Sequence, residues 1–428
     1  MSWSRRIYSL ILYLLVPLVV ARLFLRSVRV SGYRQRMGER FGFGLSLPRE
    51  EQVLWIHAVS VGEVQAALLL VRALRECHPQ TRFLLTTMTV TGAECVCTAF
   101  GTESAVIHRY VPYDLPNAVH RFLKCTRPQL LIIMETELWP NLIRACRQRG
   151  IPVILANARL SERSARRYRR FPTLTREILQ DISAIAVQAS ADAERFKDLG
   201  APSERLRITG NIKFDLCLPA GLREEAATLR SNLYPNRPIW IAASTHEGEE
   251  KTILAAHIEL RRTLPNALLL LVPRHPERFL RVAALCRRTG FTPVTWSEHC
   301  QVPTECAVYL GDTMGRLPLF YATADAAFVG GSLMPVGGHN PLEPAILGIP
   351  IAFGPHRFNF SEISQQLLEA GAAQGVKDVS TLATTMIHWL QDANLRHTIG
   401  ERGRQVVEAN RGALAALVEV VEKCRNDT

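Results

Sequence analysis

The chain has 428 residues, more than one hydrophobic core usually organises, so two domains are expected; 47% hydrophobic and 21% charged residues exclude disorder as the starting point. Its ten cysteines are scattered without a CxxC spacing, which argues against zinc knuckles and disulfide frameworks, and Cys95 and Cys97 read as packing thiols rather than metal ligands. The net charge of +12 is uneven: up to Lys213 there are 31 Lys and Arg against 17 Asp and Glu, and beyond it 20 against 22, so the first half suits a polyanionic partner, nucleic acid or an anionic membrane surface.

The first element decides between those partners. Ile7 to Ala21 is an almost unbroken apolar run between Arg5 and Arg6 on one side and Arg22 and Arg26 on the other. Val19 and Ala21 resemble a signal-peptidase site, but Arg22, Arg26, Arg29, Arg34, Arg36 and Arg40 hold the downstream chain on the cytoplasmic side, so residues 1–30 are expected to stay as a membrane anchor. Pro17 should kink it, and both a tilted span and an interfacial helix are open.

Beyond the anchor, short apolar strands alternate with amphipathic helices, the pattern of a parallel sheet covered on both faces. Residues 53–58, 82–87, 130–134, 152–158 and 182–188 read as strands of a first domain, 31–213. Residues 238–244, 267–272, 307–311, 326–331 and 349–353 do the same for a second, 238–410. The Pro- and Gly-marked segment 214–237 reads as a linker, and 411–428 as a closing helix whose apolar face, Leu414, Leu417, Val418 and Val421, packs back across the domains. The fold class is α/β: two Rossmann-like doubly wound domains with a cleft between them, ligands sitting at the carboxyl ends of strands.

Neither GxGxxG nor GxxxxGK[ST] occurs, which removes the main support for dinucleotide and P-loop readings. Polar strand-to-helix junctions remain, and each has a bland and a functional reading. Ser60, Gly62 and Glu63 match a capping box, yet Gly62 just inside a helix suits the close approach of a ligand, and Glu63 there suits proton abstraction from a hydroxyl. Glu137 lies in the junction 134–142. Arg159, Arg163, Arg166, Arg167, Arg169 and Arg170, with Tyr168 and Phe171, form a basic and aromatic stretch suited to anionic headgroups, to nucleic acid, or simply to water. Lys213 precedes the linker, where a lone lysine is usually solvated. Ser244, Thr245 and His246 open a third junction, in which Ser244 and Glu247 again match a capping box. Arg274 and His275 follow a strand directly and suit a phosphate, the alternative being an exposed turn. Finally Gly331, Ser332, Gly337, Gly338 and His339 precede Asn340, Pro341 and Glu343, which fit N-cap, N1 and N3 of a helix; glycine amides and a helix start make a phosphate cradle.

The segments SVGE, METELWPNL, LSERSARRY, GNIKFD, PRHPER and VGGSLMPVGGHNPLEP, in this order, closely resemble the 3-deoxy-D-manno-octulosonic acid (Kdo) transferases of lipopolysaccharide inner-core synthesis, through nearly the whole chain. The resemblance implies a GT-B fold, an N-terminal domain receiving a lipid A precursor and a C-terminal domain holding CMP-Kdo. It implies Glu63 as catalytic base in an inverting transfer. Arg274 and the amides around Gly331, Ser332 and Gly337 to His339 would hold the CMP phosphate, and Glu343 the ribose, with Glu137 and Lys213 in the cleft. The absence of a DxD motif agrees with a reaction needing no metal and no cofactor, CMP-Kdo being a substrate. The expected partners are CMP-Kdo, the lipid A precursor and the cytoplasmic face of the inner membrane, not nucleic acid. Another GT-B sugar-nucleotide enzyme, such as an epimerase or a different lipid-directed transferase, is the alternative.

Overall fold

The computed structural model describes residues 3–29, 32, 35–44, 52–101, 103, 105–233, 236–298 and 302–426; Arg34 and Cys300 lie outside the described residues. The chain forms two compact units, Met1–Asp215 with Arg411–Thr428, and Leu216–Asn410.

In the first unit the strands are β1 (Val53–His57), β2 (Arg82–Thr87), β3 (Val106–Tyr110), β4 (Leu130–Met134), β5 (Val153–Ala158), β6 (Ala184–Val187) and β7 (Leu206–Ile208). They make one parallel sheet in the order β3-β2-β1-β4-β5-β6-β7. Side chains alternate across it: Val53 and Trp55 enter one buried layer, Leu54 and Ile56 the other, which is why β1 reads as a continuous apolar run. Burying each such aliphatic side chain contributes roughly 1.5–3 kcal/mol. The winding direction reverses between β1 and β4, and at such a reversal the loops after the two strands part and leave room for a ligand.

The second unit repeats the plan with β8 (Ile239–Thr245), β9 (Leu268–Pro273), β10 (Val294–Thr295), β11 (Val308–Leu310), β12 (Ala326–Val329), β13 (Ile351–Phe353) and β14 (Ala373–Gly375). All are parallel, in the order β10-β11-β9-β8-β12-β13-β14, and the reversal lies between β8 and β12.

Two expectations are corrected. The segment read as a linker carries the helix Leu222–Asn232, whose Leu222, Ala226 and Leu229 are buried in the second unit's core; its apolar face made it an element despite the flanking prolines. The closing helix, Ala413–Asn426, belongs to the first unit rather than lying across both. Its Ala413, Leu417 and Val421 complete the layer that holds Leu54 and Ile56, and the Asp215 carboxylate accepts the N–H groups of Gly412 and Leu414 at its start.

The N-terminal helix, Trp3–Arg29, runs on through Pro17. Among the described residues, Trp3–Ser27 is the one stretch long and apolar enough to cross a membrane. One of its faces docks on the first unit, where Arg5 lies 3.4 Å from Glu177 and 3.6 Å from Asp181, and Ser9 Oγ donates to Asn141 Oδ1 at 3.1 Å.

Candidate active site

In the first unit the predicted residues gather where the sheet reverses. Ser60 is the N-cap of helix Val61–Cys77 and accepts the Glu63 N–H at 3.2 Å, while the Glu63 carboxylate accepts from Val59 N–H at 2.8 Å and Ser60 N–H at 3.3 Å. The capping box is therefore formed. Glu63 is only 7% exposed, and burial pushes its carboxyl up to about 7; the bonds from Val59 and Ser60 oppose that shift, and Glu135 and Glu137 reinforce it. Each carboxylate oxygen still has an unused lone pair. The same group thus closes a helix end and stands poised for proton transfer near neutral pH.

Around it are residues from the loop after β4 and from the turn Ile212–Asp215. Lys213, expected to be solvated, is 17% exposed and pairs with Glu135 at 3.0 Å. Glu135 has φ +53, a left-handed conformation uncommon for a residue with a side chain. Glu137 accepts from Trp139 Nε1 at 2.9 Å, and burial raises its carboxyl, with Glu135 adding to the shift. The Trp139 ring stands edge-on to buried His57, whose Nδ1 lies 3.0 Å from Thr86 Oγ1, whose Nε2 is buried without a partner, and whose pKa burial lowers to about 4. Sequence reasoning gave Glu135, His57 and Trp139 no role of their own, although His57 ends the first apolar run and Glu135 and Trp139 lie in the polar junction 134–142. A Cβ built on Gly62 comes into ordinary contact with Lys213 Nζ at 3.9 Å and Ser60 Oγ at 4.0 Å and meets nothing closer, so a methyl group would fit there against the lysine.

The second unit gathers its residues at the other reversal, after β8 and β12. The expected capping box of Ser244 with Glu247 is not formed: helix Glu249–Thr263 starts later, from Gly248 at φ +98. Ser244 instead takes a left-handed φ of +55, and Thr245 Oγ1 donates to Glu250. The amide cradle is also corrected. Gly331, Ser332 and Leu333 donate their N–H groups to the buried Glu249 carboxylate at 2.7, 2.9 and 2.9 Å, and the same carboxylate accepts from His246 N–H at 2.8 Å. Gly337 and Gly338 bond back to the Gly331 carbonyl, and His339 to that of Gly330. These donors are occupied within the protein. The next helix, Leu342–Ile346, starts from Pro341, one residue later than the Asn340 cap expected; Asn340 Oδ1 accepts from Leu342 N–H. At five residues it brings little dipole.

Side chains supply what the backbone does not. His246 Nε2 lies 2.8 Å from His339 Nε2, the ring planes within 7° of each other and the centroids 5.0 Å apart, and His275 stands edge-on to His246 at 5.3 Å. Burial lowers the pKa of His246 and takes that of His339 down to about 3, the neighbouring histidines and Arg274 acting in the same direction. Arg278, next along, is held bidentately by buried Glu250 at 2.6 and 3.0 Å. Half-buried Arg274, in contrast, has no side-chain hydrogen bond or ion pair to any described residue. Glu343, pushed up to about 7 by burial, is opposed by Asn340 and Arg274. An unpaired guanidinium beside these imidazoles, with a carboxyl nearby, suits a phosphate and a hydroxyl-bearing sugar.

The basic stretch forms helix Glu162–Tyr168 and its exit. Arg163, Arg166, Arg167 and Arg170 are exposed beside Phe171; Arg169 pairs with Glu162 and Asp198, and Arg159 is half-buried near Asp192. Among the described residues no group of three or more His, Cys, Asp or Glu is arranged to hold a metal ion.

The family model described as 3-deoxy-D-manno-octulosonic-acid transferase (kdotransferase) matches residues 35–216. A 3-deoxy-D-manno-octulosonic acid transferase of Haemophilus influenzae is 45% identical over 424 residues, covering 98% of this chain and 98% of that protein. One from Bordetella pertussis is 35% identical over 435 residues, covering 98% and 99%. Among solved structures, the UDP-GlcNAc 2-epimerase from Neisseria meningitidis bound to UDP-GlcNAc aligns with a TM-score of 0.56 at 14% identity, covering 87% of this chain and 100% of that one, a likeness of fold alone, of the GT-B type.

Proposed function

Because the chain belongs to the 3-deoxy-D-manno-octulosonic acid transferases, glycosyltransferases that transfer Kdo, we propose that it moves Kdo from CMP-Kdo to a hydroxyl of a lipid A precursor, with inversion, at the cytoplasmic face of the inner membrane. The observation that carries this reading is Glu63, a buried carboxyl pushed up to about 7 where the first sheet reverses, next to Gly62 and the Lys213 ammonium. A base acts best when its pKa lies near the working pH.

In this reaction Glu63 takes the proton from the acceptor hydroxyl as its oxygen attacks the anomeric carbon of Kdo. The bond from that carbon to the CMP phosphate oxygen breaks, and CMP leaves with the electron pair. Arg274 stabilises the departing phosphate, with His246, His275 and His339 lining the same place, and Glu343 accepts from ribose hydroxyls. The amides of Gly331, Ser332 and Gly337 to His339 serve another purpose. Bonded to Glu249 and to each other, they fix the loop that presents His339. Lys213 and Glu135 frame the acceptor side with Glu137. CMP-Kdo enters as a substrate, and no separate cofactor is invoked. The Trp3–Arg29 helix and the exposed arginines around Arg166 meet the anionic membrane.

The test is mass spectrometry of products after incubation with CMP-Kdo and a tetraacylated precursor. Kdo-bearing lipid is expected from the unaltered chain. Glu63→Gln, which keeps a capping-box acceptor, should lower kcat by about 10²–10⁴ without loss of fold. Release of CMP without any acceptor, at a rate equal to that with acceptor, points instead to a hydrolase or epimerase and defeats the proposal.

A further inference from the structure

Past its docked start, the Trp3–Arg29 helix does not lie flush on the first unit but borders a groove of about 270 Å³. One wall is a single stripe of that helix, Tyr8, Leu12, Leu15, Val16 and Val19. The opposite wall comes from chain just beyond three strands on the same side of the sheet: Met88 after β2, Tyr113 to Leu115 after β3, and Leu138 and Trp139 after β4. The groove therefore runs along the same carboxyl edge of the sheet that presents Glu63. Its carboxylate, Asp114, is already engaged, accepting from Asn141 N–H at 3.0 Å and Leu142 N–H at 2.7 Å, so the rest of the surface is left to an apolar ligand.

We infer that this groove takes one acyl chain of the acceptor, an inference that rests on the lipid acceptor proposed above. Hydrocarbon is favoured over a protein segment by where the groove lies. The outer face of its own helix carries Leu10, Leu14 and Leu18, 60%, 70% and 66% exposed, a surface suited to lipid, so a chain can enter sideways from the layer that wets that face. The stripe from Tyr8 to Val19 is about 16 Å long at helical rise, close to the hydrocarbon depth of one leaflet, about 15 Å as half of the bilayer core. Charge completes the match. Arg22 and Arg26, just past the stripe, act with Arg40 on the Tyr113 hydroxyl in the groove wall, placing cations where a glycolipid's phosphate follows its chains. Trp139 joins the groove to the chemistry: its ring lines the wall and faces His57, and its Nε1 holds Glu137.

A tetraacylated lipid A precursor with a diazirine in one acyl chain, photolysed with the full-length protein in micelles, should label Val16, Met88 or Trp139, and excess unmodified precursor should remove that label. Labelling confined to Leu10, Leu14 and Leu18 overturns the inference. Val16→Trp fills the groove and should raise the KM for the precursor at least about tenfold, the equivalent of losing about two buried methylenes, with the KM for CMP-Kdo and kcat near those of the unaltered chain. Leu14→Trp, which puts the same indole on the exposed face, should leave the acceptor KM unchanged. An unchanged acceptor KM in Val16→Trp counts against the groove as decisively as the wrong label. Kdo transfer is read in the same samples: transfer without groove labelling removes only this inference, whereas no transfer by the unaltered chain removes the lipid acceptor and the groove's occupant together.

Discussion

Gly62 is not demanded by the protein around it. Its φ is not positive, a Cβ there clashes with nothing, and it sits in a helix where glycine costs about 0.5–1 kcal/mol relative to alanine. Gly62→Ala should therefore raise stability by about that amount in chemical denaturation, yet slow transfer by intruding on the space before Lys213; a variant both more stable and fully active removes the case for a ligand there. Glu63 adds a pH signature. Its pKa is raised, so the base-competent carboxylate is lost as pH falls below about 7, and kcat/KM should climb through about pH 7 and level off above it. Glu343 titrates in the same window, so the two are separated by the acceptor-limited profile, whose acid limb should vanish in Glu63→Gln. Residue identities at these places were legible because strand ends and capping patterns are local. Partners were not: no spacing reveals that the Gly331 and Ser332 amides find Glu249, 82 and 83 residues earlier in the chain.

At the scale of elements, the strands read from sequence are those flanked on both sides. β3, β7, β10 and β14 went unread, and they are the four sheet edges. An edge strand is short and partly wet, so it lacks the continuous apolar run that marks a central one. The helix inside the expected linker was hidden for a related reason: only one narrow face of it is apolar, between prolines that look like boundaries. The loop after β12 shows what elements exchange. Its Glu249 anchor sits on a different helix, and Glu249→Gln replaces one of two accepting oxygens by a donor, leaving up to two of four N–H groups without an acceptor. A loss of about 3 kcal/mol of stability is expected from bonds to a buried charge, together with weaker protection by CMP in thermal unfolding, since His339 is carried on that loop. Unaltered CMP protection would show that the loop's order is irrelevant to donor binding.

For the molecule as a whole, composition foretold two domains and a basic first half, and the sheets bear out the fold class. What composition could not tell is which unit the last helix serves, because an apolar stripe names a need for a partner without naming the partner. Truncation after Asn410 removes Leu417 and Val421, both fully buried in the first unit, and should raise hydrogen exchange in β1, β4 and β5 while leaving β8 to β13 protected. Uniform loss of protection across both sheets would contradict that division.

The second unit is thus spliced into the first, between Asp215 and Arg411. Synthesis makes the first sheet before the second unit and the helix Ala413–Asn426 after it, so the first unit's core cannot be completed until some two hundred residues of the second have been made. Chains released before Ala413 therefore carry a first core without Leu417 and Val421, its apolar layer open to water, and are marked for proteolysis.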